Sequence, residues 1–467
     1  MFSKINMIIK NWLASGEVPP EKVESVYKLF RIRAIAGMFL AYMGYYITRN
    51  SFTLSTPYLK EYLHLSVSEI GFLSSCLLLS YGLFAAVMGA LADKFNVKYF
   101  IAFGLAMSCV MNILMGFSSA VWMFVGLLVL NGVFQGMGRA PAYITMANWY
   151  PKVERGRVAA VWNISHNIGG GVVAPIVALG IFLVGTSAWP IASYIFPAIA
   201  GGVLVCLTLL IGKDVPAKEG LPTLDKMYST ELSAETQFKE NAKPPNEMNP
   251  WQIFIHYIVP NGNIWILAML DIFVYIVRFG TFSWLPLYLL HVKGFSKAEM
   301  SVAFLVFEWA AIPSTLLTGY VSDKLFKGYR MPPAIIAAIV MAAGLYTYWI
   351  STSIVTITIA AAVVGCMIYI PQFAVNVQSM EVVPTFAVGA GTALRGISAY
   401  LFGAMGGTAV IGFVVDRYGW DAGFGVLLFG VAGILIFSIL AHFGVKKLYK
   451  KHDLLLCKQQ AQAEELR

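Results

Sequence analysis

Two arginines lie inside long apolar stretches of this 467-residue chain, Arg49 in YYITRNSF and Arg278 in YIVRFGTF. Placing a guanidinium at membrane depth costs about 2.5 kcal/mol or more, so such a residue persists where it faces water or meets an anion. Guanidinium is permanently charged, and its planar fork matches phosphate oxygens two at a time. One arginine in each half is the device that would hold a phosphate at the middle of a bilayer. An arginine able to snorkel to the headgroups is the competing reading for Arg49. The apolar run from Ala34 to Thr48 is too short to span alone, so the helix continues to Leu59 and leaves Arg49 inside.

Helical spacing gathers further polar groups around these two. Tyr42, Tyr46 and Arg49 share a face, as do Asp271, Tyr275 and Arg278, and Asn131, Gln135 and Arg139. His166 has Trp162 and Gly170 on its face, and Thr392 shares one with Arg395. Polar stripes on otherwise apolar helices cannot all face lipid, so they are expected to line a water-filled path. His166 is either a packing residue or a group that titrates alongside phosphate, whose second pKa lies close to its own. The tyrosines either donate to ligand or pack gates. Asp271 and Glu308 read as counter-ions, since direct contact would repel an anion. Arg139 is either a ligand group or the neutraliser of Asp271. Arg395 has Thr392, not an acid, one turn before it and is expected to meet a ligand carboxylate.

The elements that must position these residues follow from composition. The chain is 58% hydrophobic and 12% charged, about half the charge of a soluble domain, so it belongs in a membrane. Twelve hydrophobic blocks recur in two groups of six, each long enough for a spanning helix and too long for barrel strands. The expected fold is an all-α integral membrane protein of twelve helices in two pseudo-symmetric bundles. Residues 1–33 read as an N-terminal segment, 34–212 and 258–445 as the bundles, 213–257 as a linker and 446–467 as a tail.

GALADKF (89–95) returns as GYVSDKLF (319–326), the aspartates Asp93 and Asp323 being 230 apart and the arginines 229. The agreement points to a duplicated six-helix unit with its substrate between the repeats. The two aspartates read as conformational latches, capping a helix and pairing with a base across the seam. Solvated turns are the alternative. Gly169, Gly170 and Gly171 follow no strand, so they read as a close helix contact or a bend rather than a phosphate cradle.

The formal charge of +9 reports topology rather than a nucleic-acid partner. Basic residues crowd both termini and the loops of Lys94 and Lys98, of Lys152, Arg155 and Arg157, and of Lys324, Lys327 and Arg330. All fall on one side of a twelve-helix layout, which places both termini in the cytoplasm. Five cysteines form no CxxC or Cys/His pattern, so neither disulfides nor a metal is expected. No nucleophile–base pair stands out, and neither catalysis nor a cofactor is expected.

Together, the two GxxxD loops, the repeat and the helix count resemble the major facilitator superfamily. YYITRNSFTLSTPYL (45–59), FQGMGRAP (134–141), WYPKVERGR (149–157), WNISHNIGGG (162–171), FVYIVRFG (273–280) and GWDAGF (419–424) are similar to its organophosphate:phosphate antiporter family. That resemblance implies exchange of a phosphorylated metabolite for inorganic phosphate by alternating access, in a bacterial inner membrane and by a functional monomer. Arg49 and Arg278 match the family's phosphate-binding arginines and His166 its helix-five histidine. Tyr42, Tyr46, Tyr81, Tyr275, Tyr369 and Tyr400 match aromatic positions, and Glu308 the helix-eight glutamate. RNSFTLSTPYLKE (49–61), SVAFLVFEWAAIPSTLL (301–317) and MEVVPTFAVGAGTALRG (380–396) imply a phosphorylated carboxylate, phosphoglycerate and phosphoenolpyruvate, as the organophosphate. A hexose or glycerol phosphate exchanger, or a membrane sensor of the same fold, are the alternatives. One position departs: Ala85 in YGLFAA stands where family members often carry a lysine.

Overall fold

The computed structural model describes residues 20–227, 248–326, 328–384 and 387–465. Among them the chain is helical throughout. Helix α1 (Pro20–Leu63) carries Arg49. It is followed by α2 (Val67–Ala92), α3 (Val97–Gly116), α4 (Val121–Trp149), α5 (Lys152–Val184) and α6 (Ile191–Ile211). The later helices are α7 (Gly262–His291), α8 (Lys297–Leu325), α9 (Met331–Ile350), α10 (Ile354–Glu381), α11 (Val388–Tyr418) and α12 (Trp420–Glu465). Eleven of these meet the length and apolarity of a membrane span among the described residues. The exception is α1, whose apolar run is broken by Arg49, Asn50 and their hydroxylic neighbours.

Local signals explain where the helices start. Ser66 and Glu69 close a capping box ahead of α2, with Glu69 N donating to Ser66 Oγ at 3.1 Å and Ser66 N to Glu69 Oε2 at 2.8 Å. Ser296 and Glu299 repeat it ahead of α8 at 3.3 and 2.8 Å. The two boxes are 230 residues apart, the same offset as the two aspartates, so the duplication extends to the caps.

The boundaries differ from the sequence reading in two places. Residues 20–33 are not a separate segment but the first turns of α1. They are held there because Val26, Tyr27 and Phe30 bury against Trp149, Tyr150 and Leu221. Arg33 then donates from Nε and Nη2 to the carbonyls of Ile211 and Leu210, at 3.1 and 3.0 Å. Those are end carbonyls of α6 with no partner in their own helix. The start of the linker is likewise folded. Asp214 Oδ1 accepts from Val97 N at 3.2 Å, its carbonyl accepts from Trp149 Nε1 at 2.9 Å, and a 3₁₀ turn follows at Pro216–Glu219.

Two compact units result, and they do not divide simply at the linker. One holds the described residues of Met1–Asn241 together with Trp284–Ile312; the other holds those of Ala242–Ser283 and Pro313–Arg467. The end of α7 and the start of α8 therefore pack with the first unit. The glycine triplet of α5 is the reason. A Cβ on Gly171 would lie 2.5 Å from Trp309 Cδ1, and one on Gly170 2.9 Å from Glu308 Cδ. On its other side, a Cβ on Gly169 would lie 2.2 Å from the Met43 carbonyl oxygen of α1. The triplet is a close three-helix contact, as expected. At the loop end of the same segment, Lys297 Nζ donates to Thr186 Oγ1 at 3.2 Å and lies 5.2 Å from the Tyr58 ring centre.

Candidate functional site

Each unit contains one of the two arginines, and each builds the same kind of surrounding for it. In the first unit Arg49 is 5% exposed. Its Nε donates to Gln135 Oε1 on α4 at 3.1 Å. Its guanidinium carbon stands 4.7 Å from the Tyr46 ring centre and 4.2 Å from that of Tyr81. An amide oxygen and aromatic faces stabilise the cation without cancelling its charge. Gln135 is fixed in turn. Its Nε2 donates to the Tyr45 carbonyl at 3.1 Å and to Thr48 Oγ1 at 3.2 Å. Asn112 on α3 anchors the same turn of α1, donating to the Thr48 carbonyl at 2.9 Å. The arginine is thus oriented by a polar network reaching through three helices.

An aromatic ladder leads away from it. Tyr46 packs on the His166 ring at 5.1 Å and on Tyr42 at 5.5 Å. Tyr42 packs on Trp162 at 4.5 Å, and Trp162 on Tyr143 at 5.5 Å. Arg139, half-buried, closes the ladder by donating to Tyr143 OH at 3.4 Å. The structure therefore brings Arg49, Tyr46, Tyr42, His166 and Arg139 together within one unit. Ala85 packs against Gly136 of α4, where a Cβ would lie 3.2 Å from the Ala85 nitrogen. Glu308 also belongs to this unit: 3% exposed, it accepts from Asn167 Nδ2 at 3.3 Å.

In the second unit Arg278, 8% exposed, donates from Nη1 to Gln372 Oε1 at 3.2 Å and from Nη2 to Tyr369 OH at 3.0 Å. Its guanidinium stands 4.7 Å from the Tyr369 ring centre and 5.4 Å from that of Phe279. Arginine on the first helix, glutamine on the fourth and aromatic faces beside the cation recur in both units. Gln372 was not singled out from the sequence, although the signal was present. Tyr369, Gln372 and Asn376 stand at i, i+3 and i+7, one face of α10. Tyr275 packs edge-on against Tyr400 at 5.0 Å and against Phe279 at 5.5 Å.

Three expectations need correction. Arg395 is not a bare cation: its Nη1 donates to Asp271 Oδ2, and its Nη2 to Asn376 Oδ1 at 2.5 Å. Spacing along one helix could not reveal an acid 124 residues away. Asp271 accordingly has a counter-charge from Arg395 in its own unit. Asp323 finds its base inside the second unit. It accepts from Arg330 Nη1 within the second unit, and Arg330 also pairs with Glu381 at 3.3 Å. Asp93 ends α2 as an exposed residue and makes no ion pair among the described residues.

Exchanging the neutral amide on Arg49 for an acid tests its place at the site. Gln135→Glu is expected to set a carboxylate on the guanidinium and abolish phosphate binding near neutral pH. Titration calorimetry with inorganic phosphate checks this, and wild-type affinity at neutral pH would remove Arg49 from the site.

Comparison with known proteins adds a family. The sequence pattern of the Major Facilitator Superfamily matches residues 35–407. The chain is 52% identical over 446 residues to the phosphoglycerate transporter protein of Salmonella typhimurium, covering 96% of each. It is 34% identical to the glycerol-3-phosphate transporter of Bacillus subtilis, covering 90% of this chain and 94% of that one. The membrane sensor protein UhpC of Escherichia coli is 30% identical, with 90% and 93% covered. Among solved structures, a bacterial homologue of the human lysosomal transporter Spinster superposes with a TM-score of 0.68 at 15% identity. That match covers 89% of this chain and 97% of the other, and it is a likeness of fold.

Proposed function

The chain belongs to the major facilitator superfamily, a family of transporters and not enzymes, and we propose that it exchanges phosphoglycerates, with phosphoenolpyruvate, for inorganic phosphate. The observation that carries this reading is the repeated arginine–glutamine–aromatic arrangement. Two cations kept charged on neutral supports, on equivalent helices of a duplicated fold, each suit phosphate oxygens. Tyr46 and Tyr369 lie beside those cations, His166 packs on Tyr46, and all three supply donors for the remaining oxygens. The likeness to a phosphoglycerate transporter at 52% identity over nearly the whole chain supports the choice of organophosphate. Exchange is what alternating access gives when only the anion-loaded protein reorients. The protein acts as a monomer in the bacterial inner membrane. The basic loops support a cytoplasmic position for both its termini.

Liposomes bearing the purified protein and loaded with phosphate are expected to take up labelled 3-phosphoglycerate, and uptake should stop when internal phosphate is omitted. Binding without flux would assign the chain to the sensor class instead. Uptake that ignores internal phosphate would overturn antiport.

A further inference from the structure

Where α6 ends, cations converge from three helices, and the phosphate reading uses none of them. Arg33 of α1 caps the last carbonyls of α6. Lys98, in the first turn of α3, lays its stem over the same end: a Cβ on Gly212 would lie 3.5 Å from its Cγ and Cδ. Lys213 follows at once, its side chain 16% exposed, with Nζ 4.1 Å from the Phe30 ring centre and 2.9 Å from Glu219 Oε2. Burial holds the Lys213 ammonium below the usual lysine range; Glu219 opposes this, and the charges of Arg33 and Lys98 add to it. Like charges close enough to shift one another repel.

A cation at a helix C-terminus is stabilised by the end carbonyls, and Arg33 already fills that role. The acids of this stretch are spent as well. Glu219 holds Lys213, while Asp214 holds Lys218 at 3.4 Å and accepts from Val97 N. Lys98 has no acid partner among the described residues, and its ammonium lies 4.8 Å from the Tyr99 ring centre. Apolar surface continues directly from these cations. Tyr99 and Phe103, one turn apart on α3, are 59% and 55% exposed, and Ile32 and Leu210 beside Arg33 and its carbonyl partners are exposed too. Lys98 and Lys213 mark the ends of two apolar spans, the level of lipid headgroups. Cations that cap exposed apolar side chains match a phosphodiester carrying acyl chains.

We propose that Arg33, Lys98 and Lys213 form a headgroup site for an anionic phospholipid, whose phosphodiester offsets their mutual repulsion and whose acyl chains lie on the exposed apolar residues of α1, α3 and α6. This site is separate from that of the transported phosphate, since Arg49 lies sixteen residues beyond Arg33, about 24 Å along α1. Its occupant ties three helix ends together and so stabilises the fold.

The test adds phosphatidylglycerol or phosphatidylcholine, in neutral detergent, to the delipidated full chain and follows its thermal midpoint. A lipid that binds the folded protein alone raises the midpoint with concentration. Phosphatidylglycerol is expected to do so and phosphatidylcholine not, and equal shifts overturn the proposal. Lys98→Gln is expected to raise the phosphatidylglycerol concentration of half effect about fivefold, the size of one basic residue at an anionic surface. Lys98→Arg, which keeps the charge, should respond as wild type does. So should Arg157→Gln, which removes an exposed cation from the same basic side. Equal weakening by Lys98→Gln and Arg157→Gln would mean diffuse attraction to the membrane and overturn the site, as would a wild-type response in Lys98→Gln. Inorganic phosphate is expected to shift wild type and Lys98→Gln alike; a phosphate effect lost with Lys98 would assign these cations to a free anion and overturn the lipid.

Discussion

Replacing either Arg49 or Arg278 with lysine is expected to abolish most phosphate exchange while the protein still inserts and folds. Lysine retains the charge, so a pure counter-ion role would survive the change. What it loses is geometry. Arg49 spends Nε on Gln135 and rests on two aromatic faces, and Arg278 engages Gln372 and Tyr369 through its two terminal nitrogens. A compact ammonium cannot hold these supports and still present a planar fork to phosphate. Each charge-assisted bond lost is worth about 1.5–3 kcal/mol, so one fork reduced to a point contact lowers affinity roughly ten- to a hundredfold. Reconstituted counterflow of labelled phosphate measures the loss. Near-normal exchange in both variants would show that the pair is not the phosphate site.

Most of the architecture was legible because membrane insertion depends on composition. Long apolar runs, a basic side and a 230-residue repeat need no tertiary information, and the recurrence of the Ser66–Glu69 box as Ser296–Glu299 shows how local those signals are. What escaped was tertiary. Residues 20–33 have a mixed composition with no span signal, and only the burial of Tyr27 and Phe30 beside Trp149 extends α1 back to Pro20. The packing of Trp284–Ile312 with the first unit depends on helix α5 lacking side chains at Gly170 and Gly171. At the site, helical spacing brought forward Arg49, Tyr46, Gln135 and Arg139 because they sit on apolar helices where polarity is conspicuous. It could not join Arg395 to Asp271, since no rule of spacing links α11 to α7. Gln372 was readable by the rule that found Gln135, and its role emerged only with the geometry of Arg278.

The glycine triplet carries the other large effect, and it separates a positional demand from a general dislike of glycine in helices. Gly169→Ala is expected to destabilise the protein by about 1–3 kcal/mol, the usual cost of overpacking, and to abolish exchange. The added methyl would sit 2.2 Å from the Met43 carbonyl oxygen and 2.9 Å from its carbon. These are backbone atoms that cannot rotate away, so α1 and α5 must separate. Tyr46 and Arg49 ride on the first of those helices and His166 on the second, only one turn before Gly169. A spread of this seam therefore breaks the 5.1 Å contact between Tyr46 and His166 and displaces Arg49 from the groups around it. Gly170→Ala meets the end of the Glu308 side chain, which can yield, and a smaller loss is expected there. Gly202→Ala on α6 meets nothing within 4 Å, and gains about 0.5–1 kcal/mol of helix stability from the lost chain entropy. Thermal midpoints in detergent and phosphate exchange in liposomes should rank the three in that order. Equal behaviour of Gly169→Ala and Gly202→Ala would mean that the α1–α5 contact does not position the site.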